Sequence, residues 1–91
     1  MNPSPFAHYV YFLQSKKNQQ FYVGFFPDLR QRMGKHNQGQ IQSTKRYMPW
    51  ELVYYEAYRS KDDAIQREQH LKHFAKGFAM LKRRVHGSLL R

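Results

Sequence analysis

Ninety-one residues, 41% of them hydrophobic and 16% aromatic, make one folded domain, too small for a second core and too apolar for a disordered chain. Sixteen Lys and Arg against six Asp and Glu leave a net charge of +10, and the economical relief for that self-repulsion is a polyanion, nucleic acid first. The absence of cysteine removes a disulfide framework and any thiolate metal site. The absence of an apolar run of roughly 20 residues removes a membrane-crossing helix, so the composition fits a cytoplasmic protein.

Residues 1–7, Met1-Asn2-Pro3-Ser4-Pro5-Phe6-Ala7, lack the basic start and apolar stretch of a secretion signal and read as a flexible N-terminal arm. His8 to Leu13 is an aromatic and β-branched run that predicts a strand, and Phe21 to Phe25 predicts a second. The polar stretch Ser15-Lys16-Lys17-Asn18-Gln19 between them makes a hairpin the natural connection. Pro27-Asp28 opens a helix, with Pro27 suited to the first turn and Asp28 to the positive helix end. Leu29, Met33 and His36 follow at helical spacing, and Asn37-Gln38-Gly39 stops the segment. Gln38 to Pro49 is a basic loop without periodicity, long enough in so small a domain to be functional or mobile. Trp50 to Tyr58 predicts the third strand. Ser60-Lys61-Asp62-Asp63 resembles a capping box and starts a helix that runs to about Phe74. A last basic helix over about Gly77 to Val85 carries Phe78, Leu81 and Val85 on one stripe. The order β-β-α-β-α-α predicts an α/β (α+β) domain over 8–85, a small three-stranded antiparallel sheet flanked by helices, followed by a tail over 86–91.

Several side chains along this path suit phosphodiester chemistry. Alternation puts Tyr9 and Tyr11 on one face of the first strand, with Val10 on the other, and Tyr22 starts the paired stretch. A phenol titrates near 10, so it serves as a base only where a cation lowers it; as a bland alternative, tyrosine packs well in strands. Gly24 inside a strand marks a bulge, a close approach, or simply a strand end. Arg32 and His36 stack on one helix face beside Leu29 and Met33, where an arginine needs a partner or a ligand unless it snorkels to water. Glu68 shares the apolar stripe of Ala64 and Leu71, so its carboxylate needs a cation: Arg32, in a structural salt bridge, or a metal. His70 and His73 are three apart but lack a third ligand. Lys45-Arg46 and Lys82-Arg83-Arg84 suit phosphate contacts that position without reading sequence.

The joint order of these residues resembles the GIY-YIG nuclease superfamily, and within it the small single-domain bacterial proteins related to the nuclease domain of the excision-repair endonuclease. Tyr9-Val10-Tyr11 matches the first motif, with Tyr9 in place of its glycine. Tyr22-Val23-Gly24 matches the second, and Arg32 follows ten residues after Tyr22. His36 falls at the family's His or Tyr position, Glu68 matches the metal-binding glutamate, and Pro49 to Glu56 looks like the third strand of the small members. Phe25-Phe26-Pro27 departs from relatives that carry small, hydroxylated or lysine residues there.

The resemblance implies a DNA endonuclease dependent on Mg²⁺ or Mn²⁺. Glu68 would hold the metal, and Arg32 would neutralise charge on the phosphate. Tyr11 or Tyr22 would take the proton of the attacking water, Tyr11 being preferred with Tyr22 as its hydrogen-bonding neighbour, and His36 would position the water, the phosphate or Tyr11. Tyr9, Gly24, Ser43, Thr44, Lys45, Arg46, Lys72 and Lys76 are the expected nucleic-acid contacts. Without a separate DNA-binding domain, branched, flapped or single-stranded DNA recognised by shape is the expected substrate, ahead of RNA, or else a protein partner delivers the domain. The rival expectation is a weakly active or inactive nucleic-acid-binding module on the same fold.

Overall fold

The computed structural model describes residues 8–90, so the expected N-terminal arm lies outside the described residues. β1 (His8–Ser15) and β2 (Phe21–Phe26) form the expected hairpin, and β3 (Trp50–Tyr58) pairs with the other edge of β1. The sheet is antiparallel in the order β2-β1-β3, and the middle strand β1 is the most buried of the three. Ser15 closes the hairpin through its side chain: its Oγ accepts from Lys17 N at 3.0 Å and Asn18 N at 3.2 Å, the local bonding that favours serine in turns. Gln19 takes the left-handed conformation at φ 63°.

Three helices cover the sheet. α1 (Leu29–Asn37) is capped by Asp28, whose Oδ1 accepts from Gln31 N at 3.0 Å. Pro27 therefore precedes the cap instead of entering the first turn, a correction to the expected start. α2 (Lys61–His73) begins at the Ser60 cap, where Oγ accepts from Asp63 N at 3.2 Å. α3 (Ala75–Arg84) starts two residues earlier than its spacing suggested and takes Gly77 inside it. Part of the expected tail is docked: His86–Ser88 make a 3-10 turn, and Leu90 N donates to the buried Gln14 Oε1 at 2.7 Å. Among the described residues no helix is long and apolar enough to cross a membrane.

Strand alternation divides the core between the two faces. Val10, Phe12 and Val23 pack against Ala64 and Leu71 of α2 and Leu81 of α3. On the other face Tyr11, Leu13 and Trp50 pack with Tyr22, Phe26, Leu52 and the α1 residues Leu29 and Met33. Strict alternation along β3 would put Leu52 and Tyr54 on one face. Instead Phe12 pairs with Tyr54 and Leu13 with Leu52, so Val53 is an extra residue in the ladder. That bulge switches the parity and turns Tyr55 toward the Tyr11 face.

Candidate active site

The site is built around the hydroxyl of Tyr11, which is 1% exposed at the centre of the middle strand. Tyr11 pairs with Gly24 on β2, and its ring lies directly over that glycine. A Cβ at Gly24 would overlap Tyr11 Cζ and Oη and come within 2.9 Å of Cε1. The ladder is regular here, so of the meanings of a strand glycine this is close approach, by a side chain of the protein itself. Gly24, one of the expected nucleic-acid contacts, is buried and makes room for the Tyr11 ring.

Tyr11 Oη lies 3.0 Å from His36 Nε2, and His36 Nδ1 lies 2.7 Å from Thr44 Oγ1. Thr44 Oγ1 also reaches Ile41 O at 3.4 Å. A hydroxyl that donates to that carbonyl accepts from Nδ1–H, which leaves the Nε2 lone pair to accept from Tyr11. The geometry thus joins His36 to Tyr11 by a hydrogen bond. The hydrogen-bond partner of Tyr11 is His36; Tyr22 stands beside both as an aromatic neighbour, with ring centroids 6.4 Å from Tyr11 and 5.1 Å from His36.

Thr44, another of the expected nucleic-acid contacts, is fully buried, and its side chain supports His36. The loop that carries it is clamped from both sides. Trp50 Nε1 donates to Thr44 O at 2.8 Å, and the Asn37 side chain exchanges two bonds with the Trp50 backbone, at 2.6 and 3.0 Å. Asn37 and Trp50 were not singled out from sequence, and nothing in their local spacing signals the clip.

Arg32 lies with its Cζ 4.8 Å from the Phe26 ring centroid, and its Nε is buried without a hydrogen-bond partner. Such an atom normally finds a partner in the protein, in water or in a ligand. Phe26, part of the departure from the family's pattern, is thus the platform under Arg32. Glu68 is largely covered, its side chain 14% exposed, and pairs with Lys72 at 3.5 Å. Its expected protein partner Arg32 is replaced by Lys72, one helical turn away. Lys72 Nζ also stands 5.8 Å over the Tyr22 ring, which ties α2 to this edge of β2.

Burial pushes the Tyr11 phenol up to about 12; the Arg32 guanidinium opposes the rise, while Tyr22 and Glu68 add to it. Tyr22, Arg32 and Glu68 therefore all act electrostatically on one hydroxyl. Burial, then Arg32, lowers His36 to about 4. At neutral pH a neutral phenol faces a neutral imidazole. Of the remaining expected contacts, Tyr9 is half-buried on the Tyr11 face, while Ser43, Lys45, Arg46 and Lys76 are exposed. His70 stacks on Phe74 at 5.1 Å and fills the space over Gly77. Among the described residues no three His, Cys, Asp or Glu side chains gather into a metal cluster.

Comparison with known proteins agrees with this geometry. Residues 7–77 match the model of the GIY-YIG catalytic domain. A UPF0213 protein of Staphylococcus saprophyticus is 37% identical over 70 residues, covering 76% of this chain and 84% of the relative. One from Staphylococcus aureus is 35% identical over 71 residues, covering 77% and 85%. The solution NMR structure of a UPF0213 protein from Bacillus halodurans superposes with a TM-score of 0.52 at 32% identity, over 82% of each chain. The expected order of elements and the expected family both hold: the chain belongs to the GIY-YIG family, a nuclease-type catalytic domain whose substrate is nucleic acid.

Proposed function

We propose that the protein is a divalent-metal-dependent DNA endonuclease that selects its substrate by shape more than by sequence. The observation that carries this reading is the convergence of Tyr22, Arg32, His36 and Glu68 on the Tyr11 hydroxyl, with a buried guanidinium nitrogen still lacking a partner.

Family members generally work with a divalent cation, and the donor set here fits a hard one. Glu68 offers carboxylate oxygens and, among the described residues, belongs to no cluster of three His, Cys, Asp or Glu side chains, which suits Mg²⁺ or Mn²⁺ completed by water and phosphate oxygens. Held by Glu68, such a cation would supply Lewis-acid stabilisation of the phosphate and the leaving oxygen. Arg32, with Nε unpaired, would bind the phosphate and offset the charge that grows on it. Tyr11 keeps its proton at rest. Its Oη would take a proton from the attacking water as its own passes to His36 Nε2, and the negative charge of the phosphate would offset the cost of a charged His36. Thr44 and Asn37 keep that imidazole in place. Exposed Ser43, Lys45, Arg46, Lys72 and Lys76 would contact the DNA backbone, which positions a strand without reading bases. That supports branched, flapped or single-stranded DNA as the substrate, whether found unaided or through a protein partner.

The test compares wild type with Glu68→Gln on labelled single-stranded, flap, four-way-junction and duplex DNA, with Mg²⁺, Mn²⁺ or EDTA. Cutting by wild type alone, abolished by EDTA, is the expected result. Equal binding by both proteins with no cutting anywhere would replace the enzyme by a binding module on the same fold.

A further inference from the structure

We propose that the groove between the Tyr9–Tyr55 pair and the start of α1 is a nucleobase subsite that stacks one unpaired base of the DNA strand held at Tyr11; it rests on the nuclease reading above. The groove encloses about 600 Å³ and is lined by Tyr9, Tyr55, Leu29 and Met33, with Asp28 and Arg30 as its charged members. That volume lies within the usual range for small-ligand sites.

Tyr9 and Tyr55 meet edge to face, with centroids 5.8 Å apart, and Tyr55 is left 51% exposed. An aromatic ring half open to solvent in the middle of a strand is a platform with one side unused. Its position is not incidental. Tyr55 is the direct cross-strand partner of Tyr11, and Tyr9 lies two residues along β1 on the same face, a step of about 7 Å. The β3 bulge is what aims Tyr55 here; a regular ladder would have turned it to the α2 face. Groove and Tyr11 hydroxyl therefore share one face of the sheet, with Leu29 and Met33 supplied by the helix that also carries Arg32 and His36.

Charge and polarity select the occupant. Arg30 is offset in the groove by the Asp28 carboxylate and the rest of the wall is mostly apolar, which gives a phosphate no net attraction, whereas a base presents a π face to Tyr55 and apolar edges to Leu29 and Met33. A paired base has its faces covered within the duplex, so the subsite takes bases that are already unpaired. The net charge of +10 brings the polyanion and the groove takes its base, which ties preference for flaps and single strands to a particular pair of tyrosines.

The experiment measures binding in EDTA, where cutting is silent, to matched single-stranded, flapped and blunt duplex DNA and to single-stranded RNA, with 2-aminopurine at successive unpaired positions. Tyr55→Leu is the main variant because its side chain is half exposed; Tyr9→Leu is the second, and both are checked by circular dichroism. The expected result is quenching of 2-aminopurine by wild type, lost in Tyr55→Leu, with about tenfold or greater weakening on single strands and flaps and no change on blunt duplex. Equal weakening on duplex, or none on single strands, overturns the subsite. Tight binding of RNA with no binding of single-stranded DNA overturns the assignment to DNA. Self-association that Tyr55→Leu abolishes, without quenching by wild type, gives the groove to a second copy of the chain. A parallel cutting assay in Mg²⁺ separates the two readings: cutting unaffected by Tyr55→Leu leaves the nuclease and removes the subsite, while quenching without cutting does the reverse.

Discussion

Two clusters made of the same side chains sit on opposite faces of the sheet, and they behave differently. On the α2 face Glu56 receives Arg67 through two bonds of 2.9 and 3.1 Å, the Tyr54 hydroxyl at 2.9 Å and the Tyr58 hydroxyl at 2.5 Å. On the α1 face the corresponding set is Arg32, Tyr11 and Tyr22, joined by Glu68 from α2 at the β2 edge. There the acid and the arginine do not pair: Glu68 holds Lys72 and Arg32 Nε holds nothing. Burial alone would push Glu56 up, but hydrogen bonds from Arg67, Tyr58 and Tyr54 outweigh it and hold its carboxyl below the usual range. Burial at Tyr11 is opposed by Arg32 but not outweighed, and the phenol rises to about 12. A satisfied cluster is a fastening. An unsatisfied one keeps its polar groups free for a ligand, which is where unpaired groups of this kind belong.

The sharpest way to break this contrast is to neutralise each acid in turn. Glu68→Gln is expected to lower cutting by about a thousandfold, the scale of removing a metal-held charge from a transition state. It should cost only about 0.5 kcal/mol of stability, because it removes a single lysine pair one helical turn apart. Glu56→Gln should do the opposite. It strands Arg67 and destabilises the fold by about 2 kcal/mol in urea melts, while the cleavage rate of the folded fraction stays within about twofold of wild type. Parallel losses of activity in the two variants would erase the distinction between the clusters.

The acid limb of stability separates the same two regions by pH window. His36 titrates near 4 in the folded protein and near 6.5 when unfolded. Between those values the unfolded chain binds a proton that the folded chain does not. Stability therefore falls as pH drops from about 6.5 toward 4, by up to about 3 kcal/mol, and this contribution is complete above 6.5. In His36→Gln that segment of the pH–stability curve should flatten. Glu56 is depressed instead, so its contribution is complete above its ordinary value of 4.5 and is lost only below that, as pH falls toward the folded value.

Gly24→Ala tests how tightly the site is built. The added methyl overlaps the Tyr11 ring, so the phenol must tilt off β2 and away from His36. Overpacking on this scale is expected to cost about 2 kcal/mol, and the displaced hydroxyl about a hundredfold in cutting. Gly34→Ala is the control, since nothing lies within 4 Å of a Cβ there; helix propensity should make it slightly stabilising.

How much of this could be read from the chain follows from what each feature depends on. The bounds of β3, Trp50–Tyr58, were legible because an aromatic and β-branched run is local information, and so were the Ser60 cap and the spacing of Tyr11, Tyr22, Arg32, His36 and Glu68. Features set by pairing across the fold were not. The Val53 bulge exists only relative to β1, so no alternation count along β3 could reveal which face Tyr55 takes. Thr44 read as a polar loop residue, and its burial depends on His36 and Trp50 closing over it. Glu68 and Arg32 looked like candidate partners by charge, yet an i,i+4 lysine on the same helix reaches Glu68 with far less chain to order. The Glu56–Arg67 cluster passed unnoticed for the same reason, because eleven residues and a turn separate its two halves.

Lys72 carries the smallest expected effect and the finest test of the contrast. Its ammonium lies 3.5 Å from Glu68, where a bound divalent cation would also stand, so the two positive charges compete for one carboxylate. A half-open lysine pair of this kind is worth about 0.5 kcal/mol, which sets the gain in metal affinity on its removal at about twofold to threefold. Lys72→Met should show that gain in Mn²⁺ titrations followed by electron paramagnetic resonance without DNA, and Glu68→Gln should abolish the binding. Because Lys72 also faces the Tyr22 ring at the edge where DNA would pass, the same variant should bind single strands slightly less well, with a salt slope reduced by about one phosphate contact. Opposite signs for metal and DNA would identify Lys72 as the placeholder of the open cluster. No lysine plays that part at Glu56, where Arg67 never has to leave.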